Sequence, residues 1–173
     1  MIRALRKRIQ LLLVNLFLMI HTRKKDFSFS QQEFENQDKN QLKNILIYSS
    51  TALGDFMMNS PAIHALRQTY PSAAITLICH KKMYDFLKGG RDWDDLISWD
   101  NKLTTLPALV KEIKKRGTPD LTVILHSHTP YDFLSAIMAG TKYVFVDNDK
   151  QDIPLVSKWA TNRISKFVGH TIQ

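Results

Sequence analysis

Seven consecutive residues, Ser49-Ser50-Thr51-Ala52-Leu53-Gly54-Asp55, bring three hydroxyls, a glycine and a carboxylate into one short stretch. An ionised carboxylate can take a proton from a substrate hydroxyl within hydrogen-bond reach, and neighbouring hydroxyls can orient substrate oxygens. Asp55 is therefore a candidate site carboxylate, with Ser49, Ser50, Thr51 and Gly54 as candidate substrate contacts. The stretch follows an apolar, strand-like run, Asn44-Ile45-Leu46-Ile47-Tyr48, and leads into a helical pattern. Leu53-Gly54 is expected to make a tight turn, and Asp55 to fall at or near the helix cap. Free N–H groups and the positive helix end keep a carboxylate ionised there at neutral pH. An ordinary capping Asp, with no further role, has the same placement.

Two histidines form a second candidate. His126 and His128 stand two residues apart at the end of a strand-like run, so their side chains point the same way. Plain hydrogen-bonded loop histidines are the first reading of the pair, ahead of a pocket lining for anionic sugars or phosphates. A catalytic zinc takes three protein ligands, and no third is assignable, although His80 ends another strand; no metal is expected. Nor is the Ser49–Asp55 turn built to wrap a pyrophosphate. It has one glycine where a dinucleotide fingerprint needs three, and no Gly-Lys-Ser/Thr follows as in a Walker-type loop.

The elements that must position these groups alternate. Strands are predicted at 44–49, 73–80, 95–99, 121–126 and 143–146, and helices at 55–69, 83–87, 103–116 and 131–139, the last closed by Gly140. Such alternation predicts an α/β fold, a Rossmann-like parallel sheet with flanking helices, in which ligands sit outside the carboxyl ends of the strands. In helix 103–116, Leu103, Leu106, Leu109, Val110 and Ile113 share one face and are expected to be buried. Phe56 and Met57 are expected to be exposed on the first helix. Trp93 and Trp99, beside Asp92, Asp94, Asp95 and Asp100, are read as packing residues with no site role. His64 is read as structural or solvent-facing. The tail, 152–173, reads as one more helix, with Leu155, Val156, Trp159, Ile164 and Phe167 available for burial.

Charge is distributed unevenly. Seven of the 24 basic residues and none of the 16 acidic ones fall within residues 1–25, which leaves the rest of the chain at only +1. A phosphate-tracking face is not implied, and no nucleic-acid partner is expected. The same N-terminal segment carries the apolar run 11–20, too short to cross a bilayer, and basic residues follow where a signal peptide would have small cleavage-site residues. Residues 2–20 read as a helix on an anionic membrane surface; the alternative is a helix packed on the domain or on a partner. The organisation expected is a basic-hydrophobic helix at 1–26, a polar linker at 27–43 and the domain at 44–173. Cys79 is the only cysteine, so no internal disulfide forms, and it reads as a small buried hydrophobe.

The residues 45–87, "ILIYSSTALGDFMMNSPAIHALRQTYPSAAITLICHKKMYDFL", resemble the start of the heptosyltransferases of glycosyltransferase family nine. That family opens with an apolar strand, a Ser-rich turn containing Leu/Met-Gly-Asp, a helix carrying Pro-Ala, and a helix end at Tyr-Pro before the second strand. The likeness continues more loosely through residues 119–145. It implies the N-terminal, acceptor-side domain of a GT-B enzyme that transfers a heptose from ADP-heptose to a core sugar of lipopolysaccharide, with Asp55 in the position of the general base. It also implies a location at the cytoplasmic face of the inner membrane. ADP-heptose is the implied donor substrate, and the lipopolysaccharide inner core the implied acceptor. Where many members carry Asp-x-His/Gln-Gly-x-x-Arg-Ser, this chain has His126-Ser127-His128-Thr129-Pro130, so no Arg is carried over. The family's C-terminal, nucleotide-binding half has no counterpart in these residues. A truncated product, a partner that supplies the other half and a domain that only binds are the three expectations.

Overall fold

Strand β1 (Asn44–Ser49) is bonded on both edges, to β2 (Ala74–His80) and to β4 (Leu121–Ile124). In the computed structural model, which describes residues 9, 12–17, 19, 20, 31–125 and 130–146, β3 (Asp95–Trp99) and β5 (Tyr143–Val146) complete the sheet. All pairings are parallel, and the order is β3-β2-β1-β4-β5. A parallel strand at the centre of a sheet is covered on both faces, which is why β1 is apolar without alternation. Its side chains still divide by period two: Leu46 and Tyr48 join one core, Ile45 and Ile47 the other.

Helices supply the two covering layers. Residues 9, 12–17, 19 and 20 are helical (α1), and α2 (Gln31–Glu35), α3 (Leu53–Thr69), α4 (Tyr84–Leu87), α5 (Leu106–Lys115) and α6 (Tyr131–Ala139) follow. Phe56 and Ile63 of α3 and Leu87 of α4 pack on the Ile45/Ile47 side; α5, α6 and Val14 of α1 pack on the Leu46/Tyr48 side. Chain connections thus change face at β1, as right-handed crossovers require when the strand order reverses. Pro61 lies inside α3 and cannot donate to the Met57 carbonyl; the Ser60 hydroxyl donates to it instead, at 2.8 Å. Helix α6 ends at Gly140, whose φ of 91° is the left-handed conformation that glycine adopts without a Cβ penalty.

The structure departs from the sequence reading in four places. Helix α3 begins at Leu53 with Ala52 as its cap, so Gly54 lies in the first helical turn and makes no tight turn; its φ is not positive. Phe56 is 6% exposed and meets Trp93 edge-to-face at 6.1 Å, whereas Met57 is exposed as expected. Leu103 is exposed, because 103–105 is a single 3-10 turn that is out of phase with the apolar stripe of α5. The stretch read as a linker, 27–43, is described from residue 31 and packs on the domain: Leu42 is buried, and Phe34 lies 5.1 Å from Tyr143 and 4.7 Å from Phe145, both edge-to-face. Its polar composition hid two apolar anchors at the positions that face the sheet. The tail helix expected beyond residue 152 lies outside the described residues.

Cys79 is fully buried, and burial pushes its thiol up to about 11, so it stays protonated and unreactive at neutral pH. Removing the Phe34 anchor tests whether residues 31–43 belong to the folded unit. Phe34→Ala should lower stability by about 1–2 kcal/mol in a urea titration, from lost apolar burial and aromatic contacts. A true linker would show no change.

Candidate functional site

The strand order puts β1 beside β4, and the chain leaves these two strands toward opposite faces, through α3 and α6. In open α/β folds the usual ligand position is outside the carboxyl edge of the sheet between such strands. The loop after β1, with Ser50, Thr51 and Ala52, lies at that edge. His126 and His128, which follow β4 in the sequence, lie outside the described residues.

Asp55 is the third residue of α3 and is partly exposed. Its Oδ2 accepts a hydrogen bond from the Ala52 N–H at 3.1 Å, the half of a capping box that Ala52, lacking a side-chain acceptor, cannot reciprocate. This places the carboxylate in the first helical turn, three residues past the cap, within the positive end of the helix. Gly54 beside it is exposed, and a Cβ built there would meet nothing within 4 Å. That open space lies at Gly54 on the accessible side of the first turn of α3, and Asp55 itself is partly exposed.

The serine hydroxyls do not face that space. Ser49 is fully buried and its Oγ accepts from Asn59 Nδ2 at 3.3 Å. Ser50 is 1% exposed; its Oγ donates to Asp132 Oδ2 at 3.3 Å, and its carbonyl accepts from Asn101 Nδ2 at 2.8 Å. The expectation that Ser49 and Ser50 touch substrate is corrected on this ground: both are used up inside the fold, holding the loop. Thr51 keeps a buried hydroxyl with no hydrogen-bond partner among the described residues.

Three positioning residues escaped the sequence reading. Asp132 is 1% exposed in the first turn of α6, and Ser135 one turn on is fully buried and bonded to the Tyr48 hydroxyl at 2.6 Å. Burial, offset in part by the Ser135 bond and reinforced by the Asp132 charge, pushes the Tyr48 phenol far above its ordinary range. The signal was an Asp and a Ser three apart in a helix otherwise apolar on every side, a pattern that demands a buried polar partner. The third is Asn101, which has a left-handed φ of 57° and reaches across from the loop after β3 to the Ser50 carbonyl. Asn tolerates that conformation better than other non-glycine residues, a reason available only once the backbone is known.

The loop that presents Asn101 is held by Asp100. The Thr105 hydroxyl, donating at 2.6 Å, is the main cause that brings the Asp100 carboxyl down to about 2; burial opposes it, and the Lys102 ammonium and N–H add to it. Thr105 Oγ1 also accepts from Trp99 Nε1 at 2.9 Å, so Trp99 is a packing residue, as expected. The other acids of this region are also paired: Asp92 with His64 at 3.0 Å, Asp94 with Arg67 at 2.6 Å and Asp95 with Arg116 at 3.6 Å. His64 is largely exposed, in keeping with its solvent-facing reading. His80 Nδ1 accepts from the Lys82 N–H at 3.3 Å. Among the described residues no three His, Cys, Asp or Glu side chains gather as metal ligands.

An apolar groove of about 410 Å³ lies elsewhere, between the second half of α3, β4 and β5, lined by Phe34, Leu66, Tyr70, Val123 and Phe145. Helix α3 runs away from the carboxyl edge, so this groove is far along it from Asp55. It has no acid or base among its lining residues and does not suit sugar chemistry.

With this geometry, the chain is similar to two solved glycosyltransferases. It aligns with the glycosyl transferase family 9 structure from Veillonella parvula at 23% identity and a TM-score of 0.57, over 63% of this chain and 32% of that one. It aligns with the ADP-heptose lipopolysaccharide heptosyltransferase II of E. coli at 18% identity and a TM-score of 0.50, over 61% of this chain and 30% of that one. The shared feature is the fold. This chain has the Rossmann-like domain architecture of those enzymes, and it spans about a third of the length of each. No protein-family model matches the sequence, and no curated protein matches it.

Two variants test the loop. Asn101→Ala should cost about 1–2 kcal/mol, from the lost bond to Ser50 and the strained left-handed φ, with Asn101→Gly recovering part of it. The Asp100 carboxyl is lowered on folding, so its stabilisation is present above its unfolded value of 3.8 and is lost as pH falls toward about 2. Asp100→Asn should therefore flatten the acid limb of stability in that window, as read from urea midpoints measured across pH.

Proposed function

We propose that this chain is the acceptor-side domain of a heptosyltransferase-like glycosyltransferase, working on the lipopolysaccharide core at the cytoplasmic face of the inner membrane. The observation that carries the reading is Asp55 itself: a partly exposed carboxylate in the first turn of the helix leaving β1, at the carboxyl edge where β1 lies beside β4. In the proposed reaction an acceptor hydroxyl attacks the anomeric carbon of ADP-heptose. Its proton passes to the Asp55 carboxylate as the new C–O bond forms, and the bond from the anomeric carbon to the diphosphate oxygen breaks, releasing ADP. No metal cofactor is part of the proposal. The Ser50 clamps hold the loop that carries Asp55, which lowers the reorganisation needed when the acceptor arrives.

A sugar nucleotide needs a second half to hold its diphosphate, because the Ser49–Asp55 turn lacks the glycines that would let backbone wrap it. We assign that role to a nucleotide-binding half, in the same or a separate chain. The proposed acceptor is an inner-core sugar of lipopolysaccharide. His126 and His128, on the loop after β4, are assigned to its anionic groups.

A second reading, a non-catalytic module that binds the acceptor or a partner, is favoured by one observation. The Asp55 carboxylate already serves the Ala52 N–H, a purely structural task. The full chain, supplied with a donor-binding half, ADP-heptose and a heptose-deficient lipopolysaccharide acceptor, should release ADP. Asp55→Asn, which preserves the bond to Ala52, should reduce that rate by on the order of a hundredfold or more. Acceptor binding by calorimetry with no ADP release from either protein would support the module instead.

A further inference from the structure

Helix α1 has two faces with opposite surroundings. Val14 is 5% exposed and belongs to the core that α5 and α6 share with the sheet. Ile9, Leu12, Leu13, Leu16, Met19 and Ile20 are each between 47% and 65% exposed. At 100° per residue these six fall within an arc of about 120°, on the side of the helix opposite Val14. A helix buried on one side is expected to be polar on the other, and this one is apolar there; contiguous apolar surface of that kind marks an interaction site.

Charge selects the occupant. The first 25 residues hold seven basic side chains and no acid, and Lys111 and Lys114 are exposed on α5, in the same layer as α1. A second copy docking through this face would bring like charge against like charge, whereas an anionic lipid surface neutralises it. Spanning is not available to the helix. The apolar run 11–20 rises about 15 Å against a hydrocarbon core of about 30 Å, and no described helix is long and apolar enough to cross a membrane.

We propose that α1 lies in the plane of an anionic bilayer surface, with its Leu12/Leu13/Leu16/Ile20 stripe in the acyl boundary and the flanking basic residues at the headgroups. Because Val14 packs into the core of the domain, the helix sits against it and is not a free tether. The lipid surface therefore holds the sheet in one orientation. The inference rests on α1 alone and stands independently of the transferase reading.

Cosedimentation of the full chain with vesicles tests it. Vesicles of phosphatidylcholine mixed with phosphatidylglycerol should bind the chain at least tenfold more tightly than pure phosphatidylcholine, and added salt should weaken that binding. Leu13→Ser with Leu16→Ser should lose at least tenfold in affinity while leaving the thermal midpoint near its original value, since both side chains are exposed. Neutralising Arg6, Lys7 and Arg8 to Gln should also cost about tenfold or more, on anionic vesicles only. Failure to bind either vesicle overturns the proposal, as does equal binding to both. A Leu13/Leu16-dependent dimer seen by light scattering, with no vesicle binding, would assign the stripe to a second copy and overturn it as well.

Discussion

The chain's architecture depends on β1 being bonded on both edges and tied at its exit. Parallel pairing to β2 and β4 commits the strand's backbone, and the two cores commit its side chains on alternate faces. What remains to be decided is where the backbone goes after Ser49. Two contacts from distant parts of the chain decide it: Asn101, from the loop after β3, takes the Ser50 carbonyl, and Asp132, from α6, takes the Ser50 hydroxyl. Unmade, either contact would leave a buried polar group unsatisfied, so the loop has one favourable path. Helix α3 starts where that path ends, and Asp55 is positioned by it.

This arrangement separates two tasks within one hydroxyl-rich stretch. Ser49 and Ser50 turn inward and act as fixings, while Asp55 and Gly54 remain on the accessible side. A carboxylate on a helix whose first turn is anchored through the sheet is held in place with little freedom to move. The buried set formed by Tyr48, Ser135, Asp132 and Ser50 extends the anchoring into the Leu46/Tyr48 core. A fully buried phenol and a nearly buried carboxylate are costly in that setting unless bonded, and their bonds make the β1–α6 contact specific rather than merely apolar.

The N-terminal helix and the segment that follows it are bound to the same body. Val14 enters one core and Phe34 and Leu42 the other, so the chain before β1 covers both faces of the sheet instead of trailing from it. A domain with its own amino-terminal covering has a defined relation between its outer apolar stripe and its candidate site.

Much of the fold was legible in the residues. Apolar runs of strand length between helical patterns gave all five strands, with 95–99 and 143–146 matching β3 and β5 to the residue, and Gly140 marked the end of α6 because only glycine takes its φ without penalty. These are local properties of backbone and side chain, and a sequence carries them directly. Less legible were facts that depend on who the neighbour is. Leu103 and Phe56 exchanged their expected exposures because a 3-10 turn shifts phase and because Trp93 happens to face α3. Phe34 and Leu42 were hidden in a polar stretch. Ser49 and Ser50 looked available for substrate, and only Asn59, Asn101 and Asp132, between 10 and 82 residues away in the chain, turn them inward. The sequence by itself determined the alternation, the parallel sheet and a carboxylate near the start of its first crossover helix. Only the tertiary structure decided which polar groups of the loop are spent on the fold and which face outward, because hydrogen bonds between residues distant in sequence leave no local pattern from which to read them.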